Sequence, residues 1–352
     1  MRVAFVSEQT VFHGATEPRA RLHRVARNLA ARGHEVTVFC AQWWAGYEAT
    51  KTRHGVDYRA VTTDPAPTSF AVRLPLRLAR FRPDAIHASP DPPGQVVAAS
   101  VGGTLARAPL VVEWYGTEDV PESRVARYAA RTPATVVTPS EMVRTSVRER
   151  GATAENTRVV PESIDMDRVR EIEPSDEADI VYARRLDEDA NVQNLLLGLA
   201  ELRGRDWAAT IIGDGPSRAE FESQAADLRI DDRVTFAGDL PRSERIAIYR
   251  GAHTFVQTAY REVFATELCW ALACGCVGIV EYQAESSAHE LIETYDRSFR
   301  VTDDQELAAA IVDAGRFERT TIDESFERYD HDAVLDQYLD CYRESQDEQG
   351  LL

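Results

Sequence analysis

Lysine is almost missing from this chain. Lys51 is the only one among 40 basic residues, and the other 39 are arginine. Against them stand 58 aspartates and glutamates, for a formal net charge of -18. That balance excludes nucleic acid as a partner, since phosphate backbones are bound by clustered cations. It suits a protein kept soluble in a very salty cytoplasm by strong hydration and like-charge repulsion. At molar salt the screening length is about 3 Å, so the same repulsion no longer loosens the fold. A GC-rich genome would also favour arginine over lysine, but would not explain the excess of acid.

Long hydrophobic runs are lacking too. The longest, Leu268 to Val280, has 13 residues and two glycines, whereas a membrane span needs about 20. The opening stretch meets polar residues too early for a signal peptide. The five cysteines (Cys40, Cys269, Cys274, Cys276, Cys341) are odd in number and mostly lie in apolar runs, as small buried hydrophobes of a reducing compartment do. Cys274 and Cys276 have no partner pair at ligand spacing, so no metal is expected. The first turn contains no Gly-x-Gly-x-x-Gly, which excludes the dinucleotide fingerprint. These absences place the protein in the cytoplasm, with the inner face of the membrane as the one refinement considered below.

At 352 residues the chain has room for two domains with separate cores. Its pattern alternates short apolar runs with helical stripes. Val3 to Val6 reads as a strand, Thr16 as the cap of a helix with Leu22, Val25, Ala26 and Leu29 inward, and 34–40 as the next strand. Strands follow at 84–88, 110–114 and 136–139, with Ser140 capping a helix to Arg150. The acidic run Glu171 to Asp179 carries no hydrophobic stripe and is the linker candidate. Alternation then resumes with strands at 180–183, 208–212, 234–237 and 255–258, and a last amphipathic stretch covers 334–342. This is an α/β pattern of two doubly wound parallel sheets. Ligands of such sheets bind at the carboxyl ends of the strands. Gly14, Tyr115, Arg185, Gly213 and Glu262 all fall at such ends.

The most informative stretch is Arg261 to Val280. Thr266 can cap a short helix whose face of Leu268, Ala271, Leu272 and Gly275 points inward, and Gly275 ends it before a buried strand. The helix start offers unpaired amides to a phosphate. Glu262, Phe264, Ala271, Ala273, Cys274 and Gly275 match a motif here, and in this the chain resembles the family-4 retaining glycosyltransferases of the GT-B fold. The resemblance runs with gaps over nearly the whole chain, strongest from Ile180 to Glu293. It implies an acceptor-side domain over 1–165, a nucleotide-sugar domain over 176–328, and a segment 329–352 returning to the first domain. The two domains would face each other across a cleft.

The implied reaction moves a sugar from a nucleotide-diphosphate sugar to a glycan or lipid-linked acceptor, with retention and with neither cofactor nor essential metal. Glu262 and Arg185 are the implied catalytic pair, the carboxylate at the donor sugar and the guanidinium at its phosphates. Gly14, Tyr115, Gly213, Gly215, Phe236, Leu240, Phe264, Ala265 and Thr266 are the implied donor contacts. Three positions depart from the family pattern. The second glutamate of the motif is Trp270, a lysine following the arginine is Ala190, and a histidine near the sugar is Tyr115. Glu267, about one helical turn before Trp270, is the candidate to reach the ribose instead. Two other readings stand beside the enzyme. One is a catalytically inactive GT-B binding or assembly subunit. The other is a nucleotide-sugar epimerase of the same fold, which would need further acids and a histidine converging on the cleft.

One segment contrasts with the rest. Phe70 to Arg82 has no acid, and Arg73, Arg77 and Arg80 recur among Leu74, Leu78 and Phe81. Such a stripe meets an anionic lipid surface or lipid-linked acceptor, giving a peripheral membrane contact. In the plainer reading its apolar side packs on the first sheet.

Overall fold

Strands that are apolar on both faces need cover on both faces, and a chain alternating such strands with helices meets that need by parallel winding. The computed structural model describes residues 1–175 and 178–350. Residues 176 and 177, inside the expected acidic linker and at the start of the expected second domain, lie outside the described residues, as do 351 and 352. The chain forms two units, Met1–Glu162 with Asp332–Leu352, and Ser163–His331.

In the first unit β1 (Arg2–Val6), α1 (Glu17–Ala31) and β2 (Glu35–Ala41) open the winding. A hairpin of β3 (Thr50–Arg53) and β4 (Val56–Thr62) follows, then α2 (Pro67–Phe81), β5 (Ala85–Ala88), α3 (Pro93–Ala106) and β6 (Leu110–Glu113). Then come α4 (Arg124–Arg131), β7 (Thr135–Thr138), α5 (Glu141–Glu149) and β8 (Thr157–Val159). The sheet order is β3-β4-β2-β1-β5-β6-β7-β8, parallel throughout except for β3 against β4. Val3 pairs with both Val36 and Ala85, so the winding changes direction between β1 and β5. Ser140 caps α5 as its sequence predicts, accepting from the Val143 amide. Thr16 stands at the cap position of α1 but makes no side-chain cap bond.

The second unit begins with α6 (Met166–Glu171) and continues through β9 (Ile180–Ala183), α7 (Val192–Glu201), β10 (Ala209–Ile212) and α8 (Arg218–Asp227). After β11 (Val234–Gly238), α9 (Arg242–Gly251) and β12 (Thr254–Gln257) comes the two-residue β13 (Arg261–Glu262). The chain goes on through α10 (Thr266–Ala273), β14 (Val277–Glu281), β15 (Glu285–Ser286), α11 (Ala288–Ile292), β16 (Ser298–Val301) and α12 (Asp304–Ala314). Its main sheet is β11-β10-β9-β12-β14-β16, all parallel, and its winding changes direction between β9 and β12. Both units are thus Rossmann-like, and the fold is GT-B.

The C-terminal helix α13 (His331–Gly350) completes the first unit. Val334, Leu335, Tyr338, Leu339 and Tyr342 join the core formed by Val3, Phe5, Leu22, Val25 and Leu29. Beneath it lies a buried polar network. The Arg21 guanidinium donates to Glu113 Oε1 at 2.8 Å and to the Val160 carbonyl at 2.6 Å, and pairs with Glu162. Tyr338 donates to Glu113 Oε2 at 2.7 Å, and the Tyr342 hydroxyl lies 2.6 Å from His87 Nδ1. Burial alone would raise the Glu113 carboxyl; Arg21, His87 and Tyr338 outweigh it and bring it down to about 2. A buried charge survives only when paired this fully.

A depressed carboxylate stabilises the fold above its unfolded pKa and loses that contribution as pH falls toward the folded value. Here the window runs from 4.5 down to about 2. Tyr338→Phe removes a charge-assisted bond and costs about 1.5 to 3 kcal/mol at neutral pH. Urea unfolding at pH 6 and pH 2 should show the deficit shrinking as the folded-state Glu113 begins to be protonated. An equal deficit at both values would argue against this account of Glu113.

Candidate functional site

Where the winding of a sheet changes direction, the loops leaving the two central strands diverge and open a crevice. In the second unit these are the loops after β9 and β12. They are joined directly: Tyr260 N donates to the Asp189 carbonyl at 2.9 Å, Asn191 Nδ2 to Thr258 O at 2.9 Å, and the Thr258 hydroxyl to Asn191 O at 2.7 Å. Arg184 bridges the same two loops. Its Nε lies 3.2 Å from Glu262 Oε2, its Nη2 donates to the Arg261 carbonyl at 3.0 Å and its Nη1 to Asp187 at 2.9 Å. Burial works against the Arg184 charge, and Glu262, Tyr182 and Asp187 together more than offset it.

The arginine brought to Glu262 is Arg184, whereas the Arg185 side chain is 73% exposed, with Asp187 3.7 Å away. The parallel ladder runs on to Arg184, whose amide donates to Ile212 O, so alternation sends side chains 184 and 185 to opposite sides. That parity is readable from β9: it turns Arg184 toward Glu262 and leaves Arg185 exposed.

Gly213 and Gly215 lie against the arginine loop. A Cβ at Gly213 would sit 1.9 Å from the Arg184 carbonyl oxygen, and one at Gly215 2.2 Å from that of Leu186. Gly213 also has φ +129, a backbone angle that side chains rarely tolerate. The two glycines therefore hold loop against loop and set the position of Arg184. Phe236 and Leu240 do not converge. Phe236 packs with the cluster around Ile211, Leu240 with that around Leu268. Leu240 and Ala237 border a cavity of about 460 Å³ that Thr210, Thr235 and Glu244 also line.

Helix α10 departs from expectation at its start. Ala265 holds the cap position and Thr266 is the first helical residue, with no side-chain cap bond. Phe264 and Ala265 are buried. Glu267, expected to face a ribose, is engaged by α9 instead. Arg242 holds it through two bonds of 2.7 and 3.0 Å, Arg245 donates at 3.0 Å and the Tyr249 hydroxyl at 2.6 Å. Burial would raise its carboxyl, but the two arginines and Tyr249 lower it overall. Trp270 is 5% exposed, with the Arg242 guanidinium 5.0 Å from its ring. Ala190 is fully buried, and its carbonyl accepts from Tyr182 at 2.6 Å. Two of the three positions that break the family pattern, Trp270 and Ala190, are therefore core positions in this chain.

The first unit has its own switch point, between β1 and β5. Gly14 is exposed on the loop after β1, and its carbonyl accepts from Arg19 at 3.1 Å. Sequence reasoning passed over two carboxyls here. Glu8 accepts from the Ala66 amide at 2.6 Å while its own amide donates to Gln95. Burial raises the Glu8 and Asp91 carboxyls, and Asp91 adds to the effect on Glu8. Their only signal was position, just past the ends of β1 and β5. Tyr115 is buried, beside Arg21 electrostatically. The turn it begins is held by Glu118, whose two oxygens accept from the Tyr115 and Gly116 amides at 2.7 Å each. Burial pushes the Glu118 carboxyl up to about 7 despite those amides.

The basic stripe is α2. Phe70, Leu74, Leu78 and Phe81 are buried, so the interleaved apolar side chains are not open to a membrane. Gly102 of α3 explains the close packing, since a Cβ there would sit 2.6 Å from Leu78. Arg73, Arg77 and Arg80 are exposed, beside exposed Val72 and Leu76. Helices α2, α3 and α4 contain six arginines and no acidic residue.

Residues 20–168 match the family model described as Glycosyltransferase Family 4, and residues 163–315 match that of Glycosyl transferases group 1. The 2-deoxystreptamine glucosyltransferase of Streptomyces kanamyceticus is 26% identical over 221 residues, 54% of this chain and 57% of that protein. The alpha-monoglucosyldiacylglycerol synthase of Streptococcus pneumoniae is 26% identical over 157 residues, 40% of this chain and 35% of that protein. The chain thus spans little more than half of the first relative and about a third of the second. Among solved structures, HepE of Anabaena in complex with UDP superposes with a TM-score of 0.74 at 19% identity, covering 97% of this chain and 99% of that one. A glycosyltransferase from Rickettsia africae gives a TM-score of 0.77 at 14% identity, covering 98% of each chain. The two family matches run on from each other over residues 20–315, in chain order with the two Rossmann-like units, and the chain belongs to the group 1 glycosyltransferases of GT-B fold.

Proposed function

We propose that this protein transfers a hexose from a nucleotide-diphosphate sugar to a glycan or lipid-linked acceptor, with retention at the anomeric carbon. An acceptor hydroxyl oxygen forms the new bond to that carbon on the face the diphosphate leaves. The carbon–oxygen bond to the diphosphate breaks, and the hydroxyl proton passes to the departing phosphate. Such a step needs fixed positive charge and amides at the leaving group more than it needs a strong base. The observation that carries the reading is the Arg184–Glu262 pair at the switch point of the second unit, beside the start of α10. Glu262 then contacts the donor sugar, with Arg184 orienting it, and exposed Arg185 is free to close on the phosphates. Support comes also from relatives named as a glucosyltransferase and a monoglucosyldiacylglycerol synthase, and from similar folds crystallised with UDP and UDP-glucose. Burial of Trp270 and Ala190 favours the second reading, a binding subunit without turnover.

Incubation with a panel of nucleotide-sugars separates the two. Turnover is expected with at least one donor, and Glu262→Gln should lower it by about tenfold or more while leaving the circular dichroism spectrum intact. Undiminished transfer by the folded variant would sink the role of Glu262. Nucleotide binding with no turnover on any donor would favour the binding subunit.

The acidic composition supports a salt-adapted cytoplasmic protein. The melting temperature should be higher in molar KCl than in dilute buffer, and the reverse order would refute salt adaptation.

The acid-free helices support a peripheral contact with an anionic membrane through Arg73, Arg77 and Arg80. Serine at all three should abolish co-sedimentation with anionic vesicles in molar salt. Equal sedimentation, or none by either protein, would rule the contact out.

A further inference from the structure

On the flank of the first unit, where α2 crosses β2 and β4, a second cluster of cationic groups gathers. Phe39 of β2 and Arg59 of β4 are register partners, so their side chains share one face of the sheet. Phe81, the last residue of α2, meets Phe39 edge-on at 5.5 Å between ring centroids, and the Arg59 guanidinium lies 5.1 Å from its ring. Arg77 and Arg80 complete the lining of a cavity of about 280 Å³.

Three observations point to a ligand there. First, Arg59 Nε is buried with no hydrogen-bond partner among the described residues, and a buried donor left unpaired is costly. Second, no carboxylate among the described residues pairs with Arg59, Arg77 or Arg80. Neighbouring acids bond elsewhere: Asp57 accepts from the Thr52 hydroxyl, Glu35 pairs with Arg2, and Asp84 accepts from the Arg2 amide. Third, this concentration of unneutralised positive charge occurs in a chain of net charge -18. The lining is arginine, whose planar fork fits phosphoryl oxygens two at a time.

We propose that Arg59, Arg77 and Arg80 form a binding site for a phosphoryl group, separate from the Arg184–Glu262 site. A phosphate monoester carries nearly two negative charges at neutral pH, which three guanidinium groups answer better than they answer one carboxylate. The Phe81 ring lies against the Arg59 guanidinium, and a phosphoryl oxygen would satisfy the buried Nε donor that has no partner among the described residues. The group belongs either to a soluble phosphate ester or to an anionic lipid headgroup, next to exposed Val72 and Leu76 on α2.

The full chain is titrated calorimetrically with inorganic phosphate, as wild type and as Arg59→Gln and Arg80→Gln, with UDP titrated in parallel. Wild type should bind phosphate, each variant should bind it about tenfold more weakly, and UDP affinity should not change. Arg80 is exposed, so Arg80→Gln carries the test if Arg59→Gln fails to fold. Vesicles of phosphatidylglycerol mixed with phosphatidylcholine identify the source. Phosphate that displaces the protein from them marks the site as a headgroup site, and phosphate binding without vesicle binding marks a soluble ester. No phosphate binding by wild type, or equal binding by the folded variants, overturns the proposal. Loss of UDP binding in the same variants would overturn its separateness from the nucleotide site.

Discussion

The close approach of two backbones organises the second unit. The loop after β10 passes so near the loop after β9 that a side chain at Gly213 or Gly215 would collide with carbonyl oxygens of residues 184 and 186. Backbone cannot yield as a side-chain tip can, so the approach fixes where the loop after β9 runs. Arg184 inherits its position from that path, and with it the bridge to Glu262 and the Arg261 carbonyl. The glycines act here through what they lack. They shape the site from behind, and the arginine and carboxylate carry the charge.

Around α10 the chain has exchanged one kind of polar construction for another. The position that carries a glutamate in the resembling family holds a buried tryptophan, and the glutamate three residues earlier is drawn back onto α9 by two arginines and a tyrosine. Arg242 serves both changes, binding Glu267 while lying over the Trp270 ring. The polar contacts of Glu267 run along the flank of α10. They tie α10 to α9 and fix the helix start whose amides lie beside Glu262.

Much of the fold was legible because burial writes a period into the sequence. The apolar runs of β1, β9 and β12 and the stripe of the C-terminal helix are direct consequences of two-sided and one-sided cover. The site was legible only in outline. Glu262 announced itself through its motif, but Arg184 and Arg185 are adjacent arginines and only strand parity tells them apart. Glu8 and Asp91 carry no motif, and what distinguishes them is a topology that brings the ends of β1 and β5 side by side. The hold of α9 on Glu267 was not legible because Arg242, Arg245 and Tyr249 lie some twenty residues away in sequence. In α2 the apolar residues served the core, since the small residues of α3 that admit them belong to a different helix.

The division of the chain has a consequence for the order in which the molecule can be completed. The second unit is an uninterrupted segment, while the first is closed by residues made after that segment is finished. Until Tyr338 and Tyr342 arrive, Glu113 lacks one of its donors and His87 lacks its hydroxyl partner. During synthesis, which proceeds from the N-terminus, the unit that begins first is therefore the one that finishes last. The Arg21–Glu113 pair of the first unit thus gains its last side-chain donor only with the C-terminal helix.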